Sequence, residues 1–266
     1  MQPLKILPLN GIPEIMPGSN LVEILAEALR KIELCQDDIL VVTHKIVSKA
    51  YGYVRDMKEI IPTPEANRVA VLTNKDPRQV QVIMDCSNRL YACDRGIVMV
   101  ERPDGWICAN AGVDASNAGG KERLILLPEH CDAYAKSISL GLWETLGIRL
   151  AVIICDTHGR ALRNGATGVC VGSYGVAPMR YYRGQADRDG RHLQHTEEAV
   201  ADEIASAATL LMGQGSEGVP AAVLQGYTYQ FTPTDSFALK RSSENCLYKI
   251  EGAKYIVEPR DEKVNA

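Results

Sequence analysis

"LAVIICDTHGR", residues 150–160, is the stretch whose reading decides the fold. A short, unbroken apolar run that gives way to a carboxylate and polar residues predicts a buried strand closed by a polar turn. The Asp156 carboxylate then stands at the end of a strand, where α/β folds present their ligands.

Further apolar runs lie on both sides. "LKILPL" (4–9) predicts a first strand, closed by Asn10-Gly11 and Pro13. "PGSNLVEILAEALRKI" (17–32) carries an apolar stripe at Leu21, Ile24, Leu25, Ala28 and Leu29, behind a cap at Ser19 or Asn20; that is a helix. Ile39–Val42 predicts a buried strand running into the polar "THKIVSK". A helix begins near Pro77, a strand covers "GIVMVE" (96–101), and a helix covers Asp132–Leu146, stopped by Gly147. "TEEAVADEIASAATLLMG" (196–213) predicts a helix capped by Thr196, with Glu197 and Glu198 in its first turn. "PAAVLQG" (220–226) predicts one more strand. No internal repeat is visible. Strands and helices alternate irregularly, so the expected class is mixed α/β, of α+β character, rather than a doubly wound sheet.

The chain has 266 residues, 46% of them apolar and 23% charged, ordinary values for a globular enzyme with a sizeable core. Its net charge of −4 recommends no nucleic-acid partner. Eight cysteines (35, 86, 93, 108, 131, 155, 170, 246) are scattered without a C-x-x-C pair. That pattern predicts reduced, buried thiols rather than a disulfide frame or a zinc cage. The apolar runs are too short to span a bilayer, and "MQPLKILPLN" lacks the apolar core of a signal peptide. A cytoplasmic protein is expected.

Four polar clusters follow the apolar segments: Thr43-His44-Lys45 with Ser48-Lys49; Asn110, Asp114 and Asn117 within "WICANAGVDASNAGG" (106–120); Asp156-Thr157; and the Gly-rich "MGQGSEGVP" (212–220). Asp114, Asp156 and the Thr157 hydroxyl are oxygen donors of the kind Mg²⁺ takes together with phosphates, and the small residues around Asp114 allow close approach. Taken singly, each Asp equally suits a turn or helix cap, and the Gly-rich turn a helix stop. It does not match the G-x-x-x-x-G-K-[ST] phosphate loop. Residues 158–191 hold six Arg (160, 163, 180, 183, 188, 191) against two acids, Asp187 and Asp189. This bias suits either a polyanionic substrate or a solvated face. His192 and His195 lack a third ligand in sequence and read as structural or surface residues.

"NGIPEIMPG", "VVTHKIVSKAYG", "CANAGVDASN", "VIICDTHGR", "YRGQADRDGRHL", "TEEAVADEIASAATLLMGQG" and "GVPAAVLQG" occur in this order. Together they resemble the coenzyme F420-0:L-glutamate ligase family over about residues 4–226. The resemblance implies a two-subdomain fold forming an intertwined homodimer, with residues 1–226 as the ligase-like domain and 227–266 as a C-terminal extension. It also implies GTP as co-substrate, Mg²⁺ or Mn²⁺, and K⁺ as a further ion. L-glutamate and an anionic cofactor precursor would be joined through an acyl phosphate, without a membrane or nucleic-acid partner.

By motif, Asp114 and Asp156 would hold one metal, and Thr157 with Gln214 a second. Asn10, Gly11, Ile12, Pro13, Thr43, His44, Lys49 and Asn117 would line the nucleotide, Lys49 as a charge for phosphate. Met212, Gly213, Gln214, Gly215, Ser216, Glu217, Gly218 and Val219 would close over it. Asp114, Asp156 and Lys49 would carry the catalysis. Two positions depart from the family pattern: Gln214, where Glu is usual, brings no charge, and His44 replaces the Gln of "TQKIVSK". A paralogue joining another acid and amine, or a nucleotide binder without turnover, are the alternatives.

Overall fold

The computed structural model describes residues 3–94, 96–160 and 162–241. Cys246 and the rest of the C-terminal extension beyond residue 241 lie outside them. In chain order the elements are β1 (Lys5–Pro8), α1 (Leu21–Leu29), β2 (Ile39–Thr43), α2 (His44–Ala50), β3 (Val54–Asp56), α3 (Pro64–Thr73), α4 (Pro77–Asp85), β4 (Arg89–Asp94) and β5 (Ile97–Glu101). There follow β6 (Ile107–Ala109), β7 (Arg123–Ile125), α5 (Cys131–Leu146), β8 (Ala151–Arg160), β9 (Arg163–Tyr174), β10 (Arg180–Tyr181), β11 (Glu197–Glu198), α6 (Val200–Met212) and β12 (Ala221–Gln225). The class is mixed α/β, and the chain forms two compact units: residues 3–52 with 130–240, and residues 53–129.

The first unit is built on a five-stranded sheet in the order β1-β12-β2-β8-β9. β2 and β8 pair in parallel, while the other neighbours are antiparallel. Ile39–Val42 and Ala151–Cys155 are buried throughout, as expected of strands covered on both faces. Ile39, Val41, Ile153 and Cys155 share one apolar cluster with Ala201, Ala205 and Ala208 of α6. Glycines in β9 let helices approach closely. A Cβ on Gly168 would lie 2.6 Å from Thr209 Oγ1 of α6, and one on Gly172 only 2.4 Å from Cys131 Cβ of α5.

Two boundaries differ from the sequence reading. The polar turn expected after Cys155 is instead the continuation of β8, because Asp156 to Arg160 pair with Val169 to Arg163 after a register shift at Ile154/Cys155. The bulge keeps the ladder satisfied while polar residues replace apolar ones. Thr196 does not cap α6, which starts at Val200 without a side-chain cap. Glu197-Glu198 are drawn off into a ladder with Arg180-Tyr181, the Thr196 carbonyl accepts from Tyr182 N, and Asp202 and Glu203 are the acids of the first turn. Of the two cap candidates before α1, Asn20 accepts from Glu23 N, while Ser19 Oγ accepts from Met16 N.

Residues 227–240 lie on this same unit. Tyr229 donates to the Asp37 carbonyl (2.8 Å), Phe231 packs edge-on to Tyr174, and Ser236 donates to Asp132 Oδ2 (3.0 Å). Burial pushes the Tyr229 hydroxyl well above its usual range, with the nearby Asp37 charge acting in the same direction.

The second unit contains the antiparallel sheet β4-β5-β6, the pair β3-β7, and helices α3 and α4. Val69, Val80, Ile83, Val98, Val100 and Leu124 are among its core residues. Thr63 and Asp76 cap α3 and α4, each followed by Pro at the first helical position. No helix among the described residues is long and apolar enough to cross a membrane.

Cys155 and Cys170 face each other across β8 and β9 and are 1% exposed, whereas Cys35, expected to be buried, is exposed. Burial, with the Asp156 charge, pushes the Cys155 thiol up to about 12, and burial raises Cys170 as well. At pH 8 only about one Cys155 in 10⁴ would be thiolate. In a native-state titration with a thiol reagent, Cys35 is expected to react first among the cysteines of the described residues, and Cys155 and Cys170 only after unfolding. Rapid native labelling of either buried thiol would contradict this packing.

Candidate functional site

Strand register brings three of the four polar clusters, together with the Asn10–Pro13 segment, to one edge of the first unit's sheet. Pro8 of β1 pairs with Ala222, Ala221 pairs with Val42, and Thr43 pairs with Cys155. The carboxyl ends of β1 and β2 therefore meet the amino end of β12 and the bulged middle of β8. Leu9 N donates to the Ala221 carbonyl and Thr43 N to the Pro220 carbonyl, both at 2.9 Å. Residues 10–13, 43–49, 156–158 and 212–219 are thus brought to this edge, the side on which open α/β sheets take ligands.

The chain turns from β2 straight into α2, with Thr43 Oγ1 as its N-cap, so His44 enters the first turn and is 1% exposed. Its Nδ1 lies 3.3 Å from Ser48 Oγ and its Nε2 3.4 Å from Asp156 Oδ1. On the other carboxylate oxygen, Asp156 Oδ2, His158 Nε2 stands 3.3 Å away, buried and without a hydrogen-bond partner. Thr157 N donates to Asp156 Oδ1 (2.7 Å). Burial alone would raise the Asp156 carboxyl. The His44 and His158 imidazoles, each within 3.4 Å of a carboxylate oxygen, oppose it and hold it well below the usual carboxylate range. Sequence reasoning placed His44 here but missed His158. Its signal was the i, i+2 spacing from Asp156, which in a strand puts two side chains on one face.

Thr157 donates its hydroxyl to Gln214 Oε1 (3.2 Å), so the two residues expected to share a metal are in contact. Gln214 follows Gly213, whose φ of +72° and ψ of −176° suit glycine alone. Within the same loop the Glu217 carboxylate turns back to accept from Gly215 N (2.7 Å). A Cβ on Gly213 would lie 2.3 Å from Glu217 Cδ. Lys49 is buried and its Nζ pairs with Glu14 Oε1 at 2.5 Å. Glu14 stands directly after the Asn10–Pro13 segment and went unnoticed in the sequence.

Asp114 and Asn117 belong to the second unit. The Asp114 backbone bridges to Ile125, and its carboxylate accepts from Ser116 N (2.7 Å) and Ser116 Oγ (2.9 Å). The small residues before it form a tight turn in which Asn110, Ala111 and Gly112 have φ of +55°, +55° and +66°. Asn110 Oδ1 accepts from Val98 N, and a Cβ on Gly112 would lie 2.7 Å from Leu127 Cβ. The turn is held by Arg102, a buried residue that sequence reasoning did not single out. Its guanidinium donates to the carbonyls of Ala111 (2.8 Å), Leu127 (3.1 Å) and Pro128 (3.3 Å), and pairs with Asp104.

The Arg-rich segment is heterogeneous. Arg180 is engaged with Tyr182, Tyr227 and Glu198, while Arg183, Arg188 and Arg191 are exposed. His192 and His195 are exposed, with His192 Nδ1 3.0 Å from the Gly184 carbonyl.

The donors in the first unit suit a hard divalent cation: a carboxylate on Asp156, a hydroxyl on Thr157, an amide oxygen on Gln214, and the orphaned His158 Nε2 nearby. Among the described residues, no three His, Cys, Asp or Glu side chains group so as to hold a metal. A cation here would need hydroxyl, amide, water or phosphate oxygens as well.

Residues 11–226 match the model of the F420-0:gamma-glutamyl ligase family. The chain is 39% identical over 234 residues to the coenzyme F420:L-glutamate ligase of Methanothermobacter thermautotrophicus, covering 87% of this chain and 92% of that protein. It is 40% identical over 223 residues to the protein of the same name from Methanopyrus kandleri, covering 84% and 87%. Identity is 38% over 250 residues with that of Methanosarcina acetivorans, covering 90% and 95%. With most of its length matched by the family model and by these relatives, the chain belongs to the F420-0:gamma-glutamyl ligase family.

Proposed function

We propose that this chain is a cytoplasmic, GTP-dependent gamma-glutamyl ligase that joins L-glutamate to coenzyme F420-0 or a closely related anionic precursor, working as a homodimer. The observation that carries the reading is the convergence of residues 10–13, 43–49, 156–158 and 212–219 on one sheet edge, where β2 ends beside the bulge of β8.

The γ-phosphate of GTP passes to the acceptor carboxylate and GDP leaves. The glutamate amine then attacks the acyl phosphate, forming the amide and releasing phosphate. Mg²⁺ or Mn²⁺ would supply neutralisation of phosphate charge, and K⁺ would add to it. Asp156, Thr157 and Gln214 would hold the divalent ions in the first unit. Lys49 leaves Glu14 to meet phosphate. Glycines in the 212–219 loop would let backbone amides approach the nucleotide, with Thr43 and His44 beside it.

The test is incubation with GTP, L-glutamate and F420-0 in Mn²⁺ or Mg²⁺, with products followed by mass spectrometry. A glutamyl adduct with GDP release is expected. GTP binding without adduct would point to another acid and amine, or to a binder without turnover. Gln214→Glu adds a charge to the expected second ion and should raise turnover roughly tenfold, equivalent to about 1.4 kcal/mol of transition-state stabilisation. In a binder it would leave turnover at zero.

A further inference from the structure

We propose that His158 Nε2 is a direct ligand of the divalent cation carried by Asp156, and that this nitrogen makes the site select Mn²⁺ over Mg²⁺. The inference rests on the reading of Asp156 as a metal ligand and adds to it a donor that the family motifs did not assign.

The geometry suits two donors that share one ion. His158 Nε2 is buried, makes no hydrogen bond, and lies 3.3 Å from Asp156 Oδ2. Two ligands about 2.1 Å from one cation, at octahedral to tetrahedral angles, lie about 3.0–3.4 Å apart. His44, the other imidazole on this carboxylate, faces Oδ1, the oxygen that already accepts from Thr157 N. Oδ2 is therefore the oxygen shared with His158. A buried imidazole nitrogen that makes no hydrogen bond is costly unless something occupies it. Mg²⁺ prefers an all-oxygen shell and keeps its waters, whereas imidazole suits the first-row transition ions.

The experiment uses the full chain, titrated with substoichiometric Mn²⁺ alone and followed by continuous-wave and pulsed electron paramagnetic resonance. The expected result is a coupling from a directly bonded nitrogen that changes when the protein is made with ¹⁵N-histidine. It should disappear in His158→Gln and His158→Phe and persist in His44→Gln. Mn²⁺ affinity should fall about tenfold or more in the His158 variants, while Mg²⁺ affinity, read by competition, changes less than about twofold. The ¹⁵N comparison in the unaltered chain needs no variant to fold.

Absence of Mn²⁺ binding, binding without nitrogen coupling, or coupling that survives His158→Gln would each overturn the proposal. Adduct formation is scored separately. Adduct without nitrogen coupling removes this inference alone, and coupling without adduct removes the ligase reading alone.

Discussion

Asp156→Asn is expected to lower adduct formation by about 10³-fold or more, the scale of losing a charge-stabilising group at a reacting phosphate. Asparagine has nearly the same shape, and its carbonyl oxygen can still accept from Thr157 N, as Oδ1 does now. What it removes is the negative charge that faces His44 and His158 from the two carboxylate oxygens. A variant retaining activity within tenfold would take Asp156 out of the site.

The same substitution carries a pH signature. The folded Asp156 carboxyl sits below its unfolded value. Its contribution to stability is therefore present above about pH 4 and is lost as pH falls toward the folded value. Urea denaturation at pH 7 and pH 3 should show a smaller acid-side loss in Asp156→Asn than in the parent protein. Equal losses would mean that the two imidazoles do not hold the charge.

Arg102→Met should destabilise the second unit by about 3–5 kcal/mol, the usual consequence of breaking a buried ion pair from one side. Arg102 is 1% exposed, and removing its guanidinium strips donors from the Ala111, Leu127 and Pro128 carbonyls and the cation from the Asp104 carboxylate. The left-handed conformations of Asn110 and Ala111 each cost on the order of 1 kcal/mol and persist only while their surroundings enforce them. Hydrogen exchange should accelerate first over residues 108–117, and thermal melting should show the loss. Arg102→Lys should recover little, since an ammonium cannot span the same acceptors. A change below about 1 kcal/mol would show that the turn holds itself.

The strands with continuous apolar runs were legible because nothing but a buried sheet explains Ile39–Val42 and Ala151–Cys155. β9 was not: Gly165, Ala166, Gly168, Gly172 and Ser173 dilute any strand signal, and the glycines answer to helices α5 and α6 pressing on them. The start of α6 was misplaced because Thr196 and two acids form a good local cap signal, yet pairing with Arg180-Tyr181 claimed those residues. Thr157 and Gln214 stood in polar clusters legible from the residues, were linked to one metal by the resemblance, and do touch. Arg102 and Glu14 were invisible, because burial of an Arg against carbonyls or pairing of a Glu with a distant Lys leaves no local pattern.

The first unit's chain is interrupted by the second, and this shapes how the protein forms. Ile39 must pair with Ala151 in parallel, across the whole of residues 53–129. Such high contact order slows folding, because loop closure has to precede the contacts that reward it. During synthesis residues 53–129 emerge before β8 and can collapse first, drawing together the ends that lead to β2 and α5. A lesion such as Arg102→Met would then act twice, once on the unit that contains it and once on the rate at which the central sheet closes.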